Sequence, residues 1–199
     1  MTGEFRACID NEALHTAFER LDAEARDHSG RVSSYSAILA RAMGMSVQQI
    51  ATVARGALLH EIGILAIPEA IVRKPAKLSA DEQAIMREHC VRGYEMVRQV
   101  PLLEEEAEIV YAHRERFDGT GYPRGLKGDA ILIGARIVAI ADTFDMYISD
   151  RPHRPEAAFN SARAEICRWS GNSFDPRVVE LFASIPTEIW QSLQGKSQA

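Results

Sequence analysis

The apolar residues of the chain recur at intervals of three and four positions, a spacing that places side chains on one face of an α-helix. Two such series begin at about residue 11 and end before Gly44: Leu14, Phe18 and Leu21, then Val32, Tyr35, Leu39 and Met43. No segment shows the alternation of apolar and polar residues that is typical of a strand. The pattern therefore predicts an all-α protein.

Several helix boundaries can be predicted from local sequence. Ser46 and Ser79 each precede a glutamine or glutamate by three residues, an arrangement that caps the first turn of a helix. Asp175-Pro176 predicts another helix start, and the apolar stretch from Ile131 to Ile148 predicts a buried helix. Two segments rich in glycine and proline predict loops, at 63–75 and 118–129. We expect an irregular helical bundle.

Composition narrows the class of protein. A chain of 199 residues, 46% of them hydrophobic, can form one substantial core, so we expect a single domain. Its net charge of −5 argues against binding to polymeric nucleic acid, and no apolar run approaches the roughly 20 residues of a membrane span. Cys8, Cys90 and Cys167 lack metal-finger or redox spacing, which indicates reduced thiols in a cytoplasmic protein.

Ionisable residues interrupt two apolar segments of the chain. The pair His60-Glu61 lies between Leu59 and Ile62, and Asp142 follows the apolar run that ends at Ala141. Burying such groups is costly unless they are paired or bind a metal. A hydrogen-bonded core histidine beside a glutamate at a helix end is the alternative interpretation for position 60.

Four histidines fall on separate predicted helices or helix ends, which suggests that they converge in space. Glu24 precedes one of them by four residues and shares its helical face, although such a pair alone is more often ordinary surface patterning. Imidazoles and carboxylates without a thiolate suit manganese, iron or another octahedral divalent ion. Adjacent ions of this kind generate hydroxide and neutralise phosphate oxygens, which predicts phosphate-ester hydrolysis. The candidate set is Glu24, His28, His60, Glu61, His89, His113 and Asp142.

The segment from His113 to Pro123, continued by Gly125-Leu126-Lys127-Gly128 and by the stretch from Ala135 to Asp142, resembles the HD-GYP family of bacterial cyclic di-GMP phosphodiesterases. The resemblance covers Ala23 to Phe182. It implies an HD-domain helical bundle with C-terminal HD-GYP helices. We expect one domain over 1–199, with the HD core at about 20–150 and the C-terminal helices at about 151–199, and no receiver or sensor domain ahead of it.

The same resemblance assigns roles to residues. The seven candidates above fall on the family's metal-ligand positions, with iron or manganese expected, as two ions or alternatively one or three. It implies catalytic roles for Glu61 and Asp142, and we expect a third catalytic role for Arg114, whose charge would stabilise the phosphate during attack. Substrate contacts are expected from Tyr122 in the glycine-rich loop and from three basic residues: Lys127, Arg151 and Arg154. An alternative interpretation of the loop is an ordinary turn that requires positive φ. The alternative for Arg151 and Arg154 is an ion pair with Asp150 or Glu156 on the surface.

Three positions depart from the family pattern, all at the expected active site. Glu61 replaces an aspartate and reaches one methylene further, while Ile64 replaces a lysine and removes a positive charge. Arg114 replaces a histidine and cannot bind a metal, although it could bind a substrate phosphate.

The sequence supports two main hypotheses of function. The first is hydrolysis of cyclic di-GMP to pGpG and GMP with reduced activity. The second is a catalytically inactive module that binds cyclic di-GMP or a signalling protein such as a diguanylate cyclase. Hydrolysis of a different phosphate ester is a weaker third alternative, because HD domains share a site but differ in their pockets.

Overall fold

The computed structural model describes residues 11–149 and 155–194, and regular structure in these ranges is helical apart from one isolated bridge between Ser170 and Phe174. The all-α prediction is confirmed. Two short 3₁₀ segments occupy Ile62–Ala66 and Gly128–Ala130. The α-helices are α1 (Glu12–Glu19), α2 (Ala23–Ala42), α3 (Val47–Leu59), α4 (Glu69–Val72), α5 (Ala80–Arg87), α6 (His89–Val97), α7 (Glu104–Ala112), α8 (Ile133–Ser149), α9 (Pro155–Arg168), α10 (Pro176–Ser184) and α11 (Thr187–Gln194). Within the described ranges, no helix combines the length and apolarity needed to cross a bilayer.

The helix ends lie where local sequence predicted them. The Ser46 and Ser79 side chains both take part in reciprocal capping boxes, at the starts of α3 and α5. The Asp175 side chain accepts a hydrogen bond from the Arg177 backbone N–H, with Pro176 in the first turn of α10. Gly44, just beyond α2, has a φ of 74°, a conformation that glycine adopts at little cost.

The core consists mainly of two apolar clusters. The larger one joins α2 and α8 to the C-terminal helices through aromatic contacts, in which the Phe144 ring lies 5.1 Å from Tyr35 and 5.2 Å from Trp190. The smaller one joins α1, α6 and α7 around Leu59 and Ile62. Helices α3 and α7 contribute side chains to both clusters. His60 and His113 directly follow these two helices, so the candidate site lies where the clusters meet.

Gly63 allows a close backbone contact that brings two candidate residues together. A Cβ atom at this position would lie 2.0 Å from the His89 carbonyl oxygen and 2.5 Å from the Gly93 nitrogen. The 3₁₀ segment that follows His60 and Glu61 therefore rests directly on the backbone of α6, which begins at His89. Any side chain at position 63 would separate these residues.

We predict opposite effects of alanine at two glycines. Gly63→Ala should lower the free energy of unfolding by about 1–3 kcal/mol, because the methyl group must displace backbone of α6. Gly30→Ala should raise it by about 0.5–1 kcal/mol, since Gly30 lies inside α2 with no atom near a new Cβ. Urea unfolding measures both. Equal stability of Gly63→Ala and wild type would refute the proposed contact.

We also predict an acid-dependent effect at Asp175. Burial disfavours its charged form, but hydrogen bonds from Arg177 and Arg136 outweigh burial and lower the pKa of this carboxyl. The stability that the charge contributes is therefore present above about pH 4 and is lost as the pH falls below it. Asp175→Asn, which retains a good helix cap, should destabilise the protein at pH 7 and have less effect near pH 3. A pH-independent difference in unfolding free energy would contradict this.

Candidate metal centre

The structure brings the four predicted histidines together with Asp142 of α8. His28 lies in α2, His60 follows α3, His89 begins α6 and His113 follows α7. The ring of His60 is 5.3 Å from that of His28 and 5.1 Å from that of His113, which in turn is 5.3 Å from that of His89. All except His28 are buried, as is Asp142.

Three of these rings are held in the same way. Each lies within hydrogen-bond distance of the backbone carbonyl three residues earlier through its Nδ1 atom, so in the neutral ring the proton is on Nδ1 and the lone pair on Nε2. This orientation is the usual one for histidine that binds a metal through Nε2. The pairs are His60 with Ala57 at 2.6 Å, His89 with Met86 at 2.7 Å and His113 with Val110 at 2.7 Å.

The inward-facing atoms of the centre lack ordinary partners. His60 Nε2 is buried without a hydrogen bond, and so is Asp142 Oδ1, which lies 3.8 Å from it. Nε2 of His89 lies 3.3 Å from Nε2 of His113, so two lone pairs face each other when both rings are neutral. Buried acceptors without donors are costly, and a cation relieves that cost. The residues present therefore fit a metal ion.

Two groups of side chains have ligand atoms close enough to hold an ion, among the residues that the structure describes. The first group is His28, His60 and Asp142, and the second is His89, Cys90 and His113. Cys90 was not among the predicted candidates, although it directly follows one of them. Its thiol is fully buried, with Sγ 3.5 Å from His89 Nε2.

Asp145 orients the first group and was missed by sequence reasoning. This fully buried carboxylate accepts hydrogen bonds from Arg31 at 2.8 and 2.9 Å, and its Oδ2 lies 2.8 Å from His28 Nδ1. Burial alone would lower the pKa of His28, but Asp142 and Asp145 outweigh it and raise the pKa to about 9. The only sequence signal for Asp145 was a second carboxylate three residues after Asp142.

The Arg114 guanidinium bridges the two predicted catalytic carboxylates. Its Nη2 donates to Glu61 Oε1 at 2.8 Å, and its Nη1 lies 3.0 Å from Asp142 Oδ2. Burial alone would raise the pKa of both carboxyls, but the neighbouring guanidinium outweighs it, holding the pKa of Glu61 at about 2 and that of Asp142 well below its usual value. A protein cation thus already neutralises the carboxylates that would attract a metal ion.

The glycine-rich loop is fastened beside the centre by Glu115. Both oxygens of this buried carboxylate accept backbone N–H groups of the loop, from Arg124 at 2.7 Å and Leu126 at 3.0 Å. The Tyr122 backbone N–H donates to the Arg114 carbonyl at 3.2 Å, and its half-buried ring lies 5.1 Å from the Arg87 guanidinium. The loop therefore lines the approach to Arg114. Glu115 belonged to the family motif, but the sequence did not reveal this anchoring role.

The remaining predicted residues stand apart. Glu24 is exposed in the first turn of α2 and belongs to neither ligand group, and Lys127 is exposed in the loop. Ile64 is half-buried in the 3₁₀ segment and supplies no charge. Arg151 and Arg154, with their alternative partners, are outside the residues whose side chains the structure describes. The proposed roles of Glu24, Lys127, Arg151 and Arg154 stay predictions.

Comparison with known proteins gives relatives that include several cyclic-dinucleotide phosphodiesterases. A family model described as "HD domain" matches residues 12–178. A cyclic di-GMP phosphodiesterase of Thermotoga maritima is 39% identical over 89% of this chain and 49% of its own length. The cyclic di-GMP phosphodiesterase response regulator RpfG of Xanthomonas campestris is 37% identical over 84% of this chain and 45% of its own. A 3'3'-cGAMP-specific phosphodiesterase of Vibrio cholerae is 36% identical over 84% of this chain and 33% of its own. The chain thus spans about half or less of these relatives.

Solved structures show the same fold. A cyclic GMP-AMP-specific phosphodiesterase of V. cholerae, V-cGAP3, superposes with a TM-score of 0.66 at 21% identity, over 92% of this chain and 51% of that one. The HD domain of PgpH from L. monocytogenes, solved with cyclic-di-AMP, superposes with a TM-score of 0.67 at 13% identity, over 93% of this chain and 98% of that one. At these identities the likeness concerns the fold alone.

Exchanging Arg114 should change the affinity of the centre for divalent ions. We predict that Arg114→His binds manganese at least roughly tenfold more tightly than wild type, because it replaces a fixed positive charge by a ligand. Arg114→Gln, which removes the charge without adding an imidazole, should gain less. Isothermal titration of metal-free protein measures the dissociation constants. Equal affinities of all three proteins would show that Arg114 does not compete with the ion.

Proposed function

We propose that this chain, which belongs to the HD-domain family, is a metal-dependent phosphodiesterase domain that hydrolyses cyclic di-GMP with reduced activity. The resemblance to the HD-GYP branch is confirmed by the match to the family model and by the relatives. The observation that carries the proposal is the convergence of two buried atoms, His60 Nε2 and Asp142 Oδ1, which lie 3.8 Å apart and make no hydrogen bond, with His28 Nε2 3.2 Å from the same Asp142 oxygen.

We infer that the centre holds two divalent ions, iron or manganese, with the first bound by His28, His60 and Asp142. Such an ion supplies a hydroxide at neutral pH and stabilises negative charge on phosphate oxygens. The chain's own residues orient this site, because Asp145 fixes the ring of His28 and the Ala57 carbonyl fixes that of His60. Imidazole and carboxylate ligands of this first group suit both metals.

Arg114 and Glu61 have complementary parts in this proposal. Arg114 places a permanent positive charge at the centre, where charge grows on the phosphate during in-line attack. Glu61 accepts a hydrogen bond from Arg114 through Oε1. Its other oxygen, Oε2, lies 3.9 Å from His89 Nε2 and faces the second ligand group. Because the guanidinium engages both carboxylates, it weakens their attraction for ions, which is the physical reason to expect reduced activity.

The glycine-rich loop supports a nucleotide as the substrate. Its Tyr122 ring is half-buried beside Arg87, and the Tyr122 backbone N–H donates to the Arg114 carbonyl, so a base could stack on an aromatic surface near positive charge. The relatives differ in substrate, since their names include both cyclic di-GMP and 3'3'-cGAMP. Cyclic di-GMP is our proposal for this chain, and a cytoplasmic location and a diguanylate cyclase partner remain predictions from the sequence.

Turnover and binding should be measured together. Protein supplied with manganese, or with ferrous iron under anaerobic conditions, should convert cyclic di-GMP to a linear product faster than it converts 3'3'-cGAMP or cyclic-di-AMP. Asp142→Asn should reduce the rate by at least about a hundredfold, because it removes an anionic ligand. Asp81→Asn, which changes an exposed carboxylate of α5, should leave the rate unchanged. Equal rates for the two variants would refute the assignment of the site.

A binding module is the second candidate function, and the Arg114 bridge favours it. With both carboxylates already paired, the centre can be stable without a full complement of ions. Cyclic di-GMP binding at micromolar protein concentration without any linear product, in protein shown to contain metal, would support this function over hydrolysis. Turnover of another phosphate ester in preference to all three cyclic dinucleotides would contradict both.

A further inference from the structure

The second ligand group contains a thiol where the first contains a carboxylate. Cys90 follows His89 in the first turn of α6 and is fully buried. Its Sγ lies 3.5 Å from His89 Nε2 and 4.0 Å from His113 Nδ1. One ligand atom from each of the three residues falls within 4.8 Å of the other two. The thiol therefore lies beside both imidazoles, nearest to Nε2 of His89.

The two imidazoles also direct their Nε2 atoms at each other. Each Nδ1 is engaged by a backbone carbonyl, so both Nε2 atoms, 3.3 Å apart, carry lone pairs in the neutral rings. Two lone pairs at this distance repel each other unless a proton or a metal ion lies between them. This close approach of two acceptor atoms is a second observation, beside the position of the thiol, that indicates a cation.

An anionic ligand would strengthen the binding of a cation in this group. Glu61 faces His89 with one oxygen at 3.9 Å, but its other oxygen is held by the Arg114 guanidinium. The two imidazoles are neutral, and the guanidinium repels a second positive ion nearby. A thiolate at position 90 would supply the missing negative charge within the group.

We propose that His89, Cys90 and His113 form a thiolate-containing metal subsite that prefers a borderline-soft ion such as zinc to manganese. Binding of the ion replaces the thiol proton, which is released to solvent, and forms a metal–sulfur bond without any change of oxidation state. The group formed by His28, His60 and Asp142 keeps a preference for harder ions. This inference rests on the metal-dependent centre proposed above and revises it in one respect, because it assigns a softer ion to the second group and leaves iron or manganese to the first.

Cobalt provides a direct spectroscopic test on the full chain. Because the sequence has three cysteines, the double variant Cys8→Ser/Cys167→Ser leaves Cys90 as the sole thiol. Titration of metal-free wild type and of this double variant with Co²⁺ should produce a near-ultraviolet sulfur-to-cobalt charge-transfer band that saturates at one ion per chain. Cys90→Ser should lack the band. A wild-type protein without the band, or a band that persists in Cys90→Ser, would overturn the proposal.

Zinc affinity supplies a second test, in which two different substitutions of Cys90 are compared with wild type. Cys90→Ser and Cys90→Ala should both bind zinc at least roughly tenfold more weakly than wild type. Their affinity for manganese at the first group should not change, and their circular dichroism spectra should match that of wild type. Unchanged zinc affinity in folded variants would show that Cys90 is not a ligand and would overturn the proposal.

The same samples separate this inference from the proposed function. A charge-transfer band in a protein that hydrolyses no cyclic dinucleotide would support the thiolate subsite and refute the proposed phosphodiesterase activity. Hydrolysis of cyclic di-GMP by manganese-containing protein, without a charge-transfer band in the cobalt titration, would refute the thiolate subsite and support the phosphodiesterase activity.

Discussion

The carboxylate of Asp142 lies within the most apolar helix of the protein and is 2% exposed. An unpaired charge in such surroundings would cost several kcal/mol, which is a large part of the stability of a domain of this size. Neighbouring side chains of opposite charge offset this cost. His28 Nε2 lies 3.2 Å from one oxygen, and Arg114 lies 3.0 Å from the other. These partners, with His60 at 3.8 Å, come from α2 and from the residues that follow α3 and α7, so the groups around Asp142 connect four helices.

The charges of the centre are close to balance without any ion. Three buried carboxylates, from Glu61, Asp142 and Asp145, lie beside two arginines, Arg31 and Arg114. His28 becomes the third positive group when it is protonated, since its pKa is raised to about 9. A centre balanced in this way attracts divalent ions less than one that has carboxylates alone. The substitution at position 114 therefore alters the electrostatics of the whole site, beyond the loss of one ligand.

A second set of groups holds the side chains of the centre in fixed orientations. Backbone carbonyls near the ends of α3, α5 and α7 orient three histidine rings, and Asp145 with Arg31 orients the fourth. Glu115 holds the glycine-rich loop over Arg114, and Gly63 lets two backbones touch so that His60 approaches His89. None of these groups would take part in chemistry directly. Their contribution is that they hold ligand atoms in place before any ion or substrate binds.

The amino-acid sequence by itself determined the helical class, several helix ends and most of the candidate ligands. These features depend on local order: the helical period, the capping pairs at Ser46 and Ser79, and ionisable residues set within apolar runs. The tertiary structure alone decided which side chains meet. It placed the Arg114 guanidinium between Glu61 and Asp142, Cys90 beside His89, and Asp145 behind His28, and it left Glu24 exposed. Such contacts join residues up to 117 positions apart, and packing of the helices, which no local pattern encodes, determines their distances.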